Sequence, residues 1–187
     1  MLAPPSAAAR YIDAMTNGST ARLFIALLPN DGVRDELATW RDAWKWPRSA
    51  SPVRSEKLHV TLHFIGDVGV ERLPELGEAL RVPFAPFLLT LSHTTLWTHG
   101  IAVLEPERIP DSLAALHQDT REVLQRIGLP VDARTFRPHV TLARRAKGAV
   151  VERQADPVHW LVQQYALMSS ALATDGTYTA LRRYQSF

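Results

Sequence analysis

The same four residues stand in the same order at two distant places in this chain: His59-Val60-Thr61-Leu62 and His139-Val140-Thr141-Leu142. Eighty positions separate the copies (59 against 139), so neither helical nor hairpin periodicity produced the match. On a β-strand, side chains alternate between faces. Each His therefore shares a face with its Thr, while Val and Leu point to the other. Two such strands facing one another would bring two imidazoles and two hydroxyls to one pocket.

That equipment suits acid–base chemistry on a phosphate. A neutral imidazole can take a proton from water while an imidazolium gives one to the leaving oxygen, and an unperturbed pKa near ~6.5 lets either form exist near neutral pH. Each transfer is typically worth on the order of 100- to 10,000-fold. Thr61 and Thr141 could donate hydrogen bonds to the non-bridging oxygens. Arg144, five residues past His139, is a candidate phosphate clamp because guanidinium binds phosphate in bidentate fashion. In a regular strand it points away from His139, so it needs a bulge, the strand's end or a long reach.

A single His-x-Thr in a strand is usually structural; the repetition with core-type flanks is what carries weight. By alternation His63 shares parity with His59 and Thr61, and His-x-x-x-His is also a metal-ligand spacing. On a strand, positions i and i+4 lie about 13 Å apart, so a shared ion is rejected. His93, His99, His117 and His159 have no motif context and read as surface or satisfied polar positions. Neither a GxGxxG nor a Walker pattern is present, nor a G-x-S-x-G elbow, nor repeated carboxylate pairing.

Composition narrows the field further. The 187 residues are 46% hydrophobic, enough for one substantial core or two small lobes sharing one. The formal charge is only +2, although the isoelectric point is about 9.2. That balance does not mark a bulk nucleic-acid binder, yet it suits a small anion held locally. No cysteine is present, which excludes a disulfide framework, a thiolate nucleophile and a Cys-based zinc site. Residues 1–20 lack a signal peptide's basic start and apolar core and read as a mobile leader, with Met15 an alternative start. No stretch approaches the roughly 18 apolar residues of a membrane helix. The chain is expected to be cytoplasmic and monomeric.

The elements that must position the two motifs follow from periodicity and punctuation. Strands are predicted at Arg22–Leu28, Leu58–Ile65 (ended by Gly66-Asp67), Phe87–His93, Ile101–Glu105 and Pro138–Ala143. Helices are predicted at Asp31–Trp46, capped by Asn30 or Asp31, at Glu71–Arg81 and at Pro110–Ile127. Arg48–Ser55 reads as a loop. Val158–Ala173 and Thr177–Tyr184 read as a hairpin around Asp175-Gly176. This order suggests an α+β protein with an internal duplication, each half contributing one motif strand to a central groove. Residues 21–187 show no internal linker and are taken as a single domain.

With these residues in view, the chain resembles the 2H phosphoesterase superfamily, whose hallmark is two H-x-T-x motifs, and more closely its RNA 2′,3′-cyclic phosphodiesterases, historically called bacterial 2′-5′ RNA ligases. The resemblance is carried by RLFIALL (Arg22 to Leu28), LHVTLHFIGDV (Leu58 to Val68), FRPHVTLAR (Phe136 to Arg144) and the tail Met168 to Tyr184. It implies a bilobal fold in which two antiparallel-rich sheets form a central groove with helices packed outside. It also implies no metal and no cofactor, with His59 as proton donor, His139 as acceptor, and Thr61, Thr141 and Arg144 binding substrate. The implied reaction opens an RNA terminal 2′,3′-cyclic phosphate to a 2′-phosphomonoester, its reversal being 2′-5′ ligation.

The partners expected are therefore RNA ends or nucleotides bearing a 2′,3′-cyclic phosphate. Two alternatives keep the same residues: a phosphodiesterase for small nucleotide or ADP-ribose cyclic phosphates, and a non-catalytic module that only grips RNA ends. Binding alone does not need two matched imidazoles. Arg48, Arg54, Lys57, Arg137, Arg145 and Lys147 cluster near the motifs in sequence, which fits a groove lining and an ordinary solvated surface equally. Phe24, Phe64 and Tyr178 are unranked candidates for stacking on a base.

Overall fold

The structure is a computed structural model that describes residues 19–151, 155–170 and 178–187. The expected leader falls almost wholly outside the described residues, as does the Asp175-Gly176 turn. In chain order the elements are β1 (Thr20–Leu27), α1 (Asp31–Asp42), β2 (Trp44–Lys45), β3 (Ser51–Pro52), β4 (Val60–Gly69), α2 (Leu73–Ala79), β5 (Phe87–Trp97), β6 (Ile101–Pro106), α3 (Asp111–Arg126), β7 (Val140–Arg144), β8 (Val150–Val151), β9 (Val158–Val162), β10 (Gln164–Ser170) and β11 (Tyr178–Gln185). Short 3₁₀ turns at Ser55–Lys57 and Val70–Arg72 lead into β4 and α2.

The fold is α+β, with a sheet ordered β11-β10-β1-β4-β7-β6-β5-β9 and β3 added to β7. Among the described residues all its pairings are antiparallel. The two halves that the sequence suggested as facing sheets are joined by one register pair, Val60 with Val140. These are the same residue of the two tetrapeptides. Equivalent residues meeting in an antiparallel ladder place a local pseudo-two-fold axis between the motifs. Beyond that pair the strands part, and β3 takes over the freed edge of β7, with Ser51 opposite Arg144 and Pro52 opposite Ala143. The predicted loop at Arg48–Ser55 thus contains a strand, kept short by a proline tolerated at an edge.

Apolar alternation sends Leu23, Ile25 and Leu27 of β1 into the main core with Val60, Leu62, Val140 and Leu142, all under 5% exposed. The other face of β1 joins Phe24 and Ala26 to Ala166 and Met168 in a smaller cluster, with Tyr178 against it.

Helix α1 begins as predicted, its Asn30 side chain accepting a hydrogen bond from the Val33 amide at 2.9 Å. It stops at Asp42, short of the expected Trp46, because Trp44 enters the two-residue β2 and stacks on Trp46 at 5.2 Å. The expected strand Val158–Ala173 is two strands broken at Gln163. β9 pairs with β5, and β10 pairs with β1 and β11.

Candidate active site

A cleft of about 700 Å³ opens where β4 and β7 part. His59, Thr61, His139, Thr141 and Arg144 all line it. Each strand begins at the Val of its tetrapeptide, so each His sits just ahead of the regular ladder. The alternation expected of each motif holds from His to Leu, with both Val and Leu buried behind the cleft wall.

After Leu it breaks, in the same way in both copies. On β4 the partners of Ile25 and Ala26 are His63 and Thr61, leaving Leu62 as an extra residue. On β7 the partners of Ala102 and Val103 are Ala143 and Thr141, leaving Leu142 extra. Each is a β-bulge one residue past the threonine. Both motif strands consequently read buried, intermediate, buried, buried, exposed over Val60–Phe64 and Val140–Arg144.

The bulge answers the parity problem of Arg144, which it turns into the cleft. It also overturns the parity assigned to His63, which goes to the core while Phe64 takes the cleft position. His63 is 4% exposed. Its Nε2 lies 2.9 Å from the His117 carbonyl and 3.1 Å from Thr120 Oγ1 on α3. The His63 ring stacks on His117 at 4.2 Å, and His117 stacks on Phe136 at 3.9 Å. His117 is therefore a packed, half-buried link between β4 and the segment entering the second motif. His93, His99 and His159 are exposed, as expected.

The imidazoles are oriented alike. His59 Nδ1 lies 2.7 Å from the Lys57 carbonyl, and His139 Nδ1 lies 2.7 Å from the Arg137 carbonyl. A carbonyl only accepts, so each Nδ1 carries hydrogen and each neutral ring keeps Nε2 as its basic atom. His59 Nε2 meets Thr61 Oγ1 at 3.0 Å. Burial pushes both histidines below their ordinary pKa. The backbone carbonyls oppose this, and the Arg144 charge adds to it in both cases. At neutral pH these surroundings favour two neutral rings, and a bound anion would raise both.

The lining also carries cations and aromatic rings. Arg22, Arg54, Lys57 and Arg144 line the cleft, and no carboxylate does among the described residues. None of the ion pairs among those residues involves Arg22, Arg54 or Arg144. Phe24, Phe64 and Tyr178 are all in the wall; Phe64 is 48% exposed, with the Arg22 guanidinium 5.0 Å from its ring centre. Sequence reasoning missed Arg22 and the Ser51–Val53 edge. Arg22 could have been found from its parity with Phe24 on β1, whereas β3 leaves no such signal. Of the basic residues clustered in sequence, Arg54 and Lys57 reach the cleft lining, whereas Arg48, Arg137, Arg145 and Lys147 do not.

A duplicated His-x-Thr pair on a curled antiparallel sheet defines a 2H phosphoesterase. The family model described as LigT like Phosphoesterase matches residues 27–102 and 104–176, so the chain belongs to that family. It is 33% identical over 170 residues to the RNA 2′,3′-cyclic phosphodiesterase of Escherichia coli (strain K12), covering 87% of this chain and 95% of that one. To the protein of the same name from Thermus thermophilus it is 31% identical over 176 residues, covering 87% and 89%. The crystal structure of E. coli LigT complexed with 3′-AMP superposes with a TM-score of 0.81 at 29% identity, over 90% of this chain and 99% of that one.

Proposed function

We propose that this protein hydrolyses the terminal 2′,3′-cyclic phosphate of RNA to a 2′-phosphomonoester. The observation that carries the reading is the convergence of both motif histidines, with matching Nδ1 anchors, on one cationic cleft. In the reaction, His139 Nε2 takes a proton from water as the water oxygen bonds to phosphorus. The P–O3′ bond breaks and His59 Nε2–H protonates the departing 3′-oxygen. Thr61, Thr141 and Arg144 hold the non-bridging oxygens, where charge increases.

The assignment of donor and acceptor follows the family pattern, and the surroundings support it. His59 sits against Phe24 and Tyr178, at 5.3 and 5.5 Å, and the charges bearing on it, that of Arg144 and that of His139 once it has taken a proton, are positive. A proton held there by the substrate's charge is readily given up. The charge of Glu105 bears on His139 and favours a proton gained. A relative's complex with 3′-AMP supports a nucleotide as the minimal ligand. Phe64 with Arg22 forms the exposed π-face best suited to the terminal base. We read residues 21–187 as one catalytic unit, a reading supported by the continuous ladder and core.

Product analysis on a short RNA ending in a 2′,3′-cyclic phosphate tests the proposal. A 2′-phosphate end, formed equally well with EDTA present, is the expected result. Binding without turnover would favour the RNA-end binding module instead.

A further inference from the structure

The supports of the two histidines are built alike up to a point. Two residues before each His stands a cation whose carbonyl anchors Nδ1 and whose side chain lies over an aromatic ring that also touches the imidazole. In the first copy these are Lys57, 5.6 Å from the Tyr178 ring centre, with Tyr178 5.5 Å from His59. In the second they are Arg137, 4.6 Å from the Trp97 ring centre, with Trp97 4.4 Å from His139. In the second copy a carboxylate holds both the ring and the cation. Glu105 on β6 accepts a hydrogen bond from Trp97 Nε1 at 3.3 Å and another from Arg137 Nη2 at 2.9 Å. Its side chain is 12% exposed and it does not line the cleft.

We propose that Glu105 is a positioning residue for His139: it clamps Trp97 and Arg137, which together fix the imidazole's tilt, and its charge favours the imidazolium formed when His139 takes a proton. The inference rests on the reading of His139 as proton acceptor. Burial pushes the Glu105 carboxyl up, but hydrogen bonds from Thr95, Trp97 and Arg137 outweigh it and hold the group below its ordinary range. Glu105 is therefore an anion at neutral pH. The other charges bearing on His139 are Arg137, Arg144 and, when it is protonated, His59, all of which oppose protonation. A carboxylate fixed by its own hydrogen bonds is already oriented when the proton arrives, so its charge acts on the imidazolium without reorganisation.

The test is the titration of both histidine rings, followed by NMR in the free protein, together with pH–rate profiles on a 2′,3′-cyclic nucleotide, for wild type and Glu105→Gln. In Glu105→Gln the His139 titration moves to lower pH and that of His59 does not follow it down. The acidic limb of kcat/KM moves down with it, and kcat falls by about tenfold with KM little changed. An unshifted His139 titration overturns the proposal whatever the activity. Because the titration is read without turnover, its failure is distinguishable from failure of the phosphodiesterase reading, which would show as wild-type inactivity. Should Glu105→Gln not fold, Trp97→Phe removes the indole N–H contact while leaving a smaller aromatic ring beneath the guanidinium. It lowers kcat in the same direction by a smaller factor, and unchanged kcat there is equally decisive against the clamp.

Discussion

Phe64 and Arg144 occupy one position in two copies of a single local structure. Each stands five residues past its motif histidine and is turned into the cleft by a bulge one residue past the threonine. The duplication thus extends beyond the tetrapeptide to the backbone irregularity that follows it, while the side chain delivered differs: an aromatic face on one wall, a guanidinium on the other. The two should fail differently. Arg144→Ala lowers kcat/KM for a 2′,3′-cyclic nucleotide by about 100-fold, with Arg144→Lys restoring only part. Phe64→Ala raises KM by about 5- to 10-fold and leaves kcat close to wild type, the loss of one stacking contact. Steady-state kinetics on the three variants separate these outcomes.

The pH dependence follows from the sign of the histidine shifts. Both His59 and His139 are pushed below their ordinary pKa, first by burial. The limbs of kcat/KM, which report the free enzyme, therefore lie at lower pH than those of kcat, because bound anionic substrate raises both rings. Rates at saturating and at limiting substrate across the imidazole range check this, and limbs that coincide would contradict it.

Much of this site is legible in sequence because the His-Val-Thr-Leu alternation is a local rule that the core enforces. Burying Val60 and Leu62 leaves His59 and Thr61 facing out. The bulges are not legible, because an extra residue in one strand is defined by its partner: Leu62 is extra only against Ile25 and Ala26 of β1. That single slip exchanges His63 and Phe64 between core and cleft. Arg144 is different, since its wrong parity announces that something irregular has to follow. The pairing of Ser51–Pro52 with β7, the Glu105 contacts and the departure of Trp44 from α1 all depend on tertiary partners that periodicity does not encode.

Stability should carry its own signature in acid. Burial, with help from the charges of His63 and Arg121, lowers His117 to about 4, and His63 is lowered too. A histidine with a depressed folded-state pKa contributes stability in full above its unfolded value of about 6.5, and loses it as pH falls toward the folded value. Between pH 6.5 and 4, wild type should therefore lose on the order of 1 kcal/mol through the half-exposed His117 after solvent screening. His117→Phe keeps a ring between His63 and Phe136 and shrinks that loss. Urea unfolding at pH 7 and pH 4.5 measures the difference.

Gly100 closes the β5–β6 hairpin with φ +74°, and a Cβ there would lie 2.8 Å from the Lys147 amide nitrogen. Its carbonyl accepts from the Ala146 amide at 2.8 Å, just beyond the end of β7. Gly100→Ala should cost about 2 kcal/mol from the backbone conformation and the clash together. Urea midpoints with an unchanged m-value check it.

The most direct test of the account is a double-mutant cycle on kcat with His59→Ala, His139→Ala and the pair, using RNA ending in a 2′,3′-cyclic phosphate. If the two rings flank one phosphorus and act in one step, each single variant loses at least about 1,000-fold and the double loses little more than either. Wild-type turnover in either single variant, or losses that multiply as for independent sites, would contradict it.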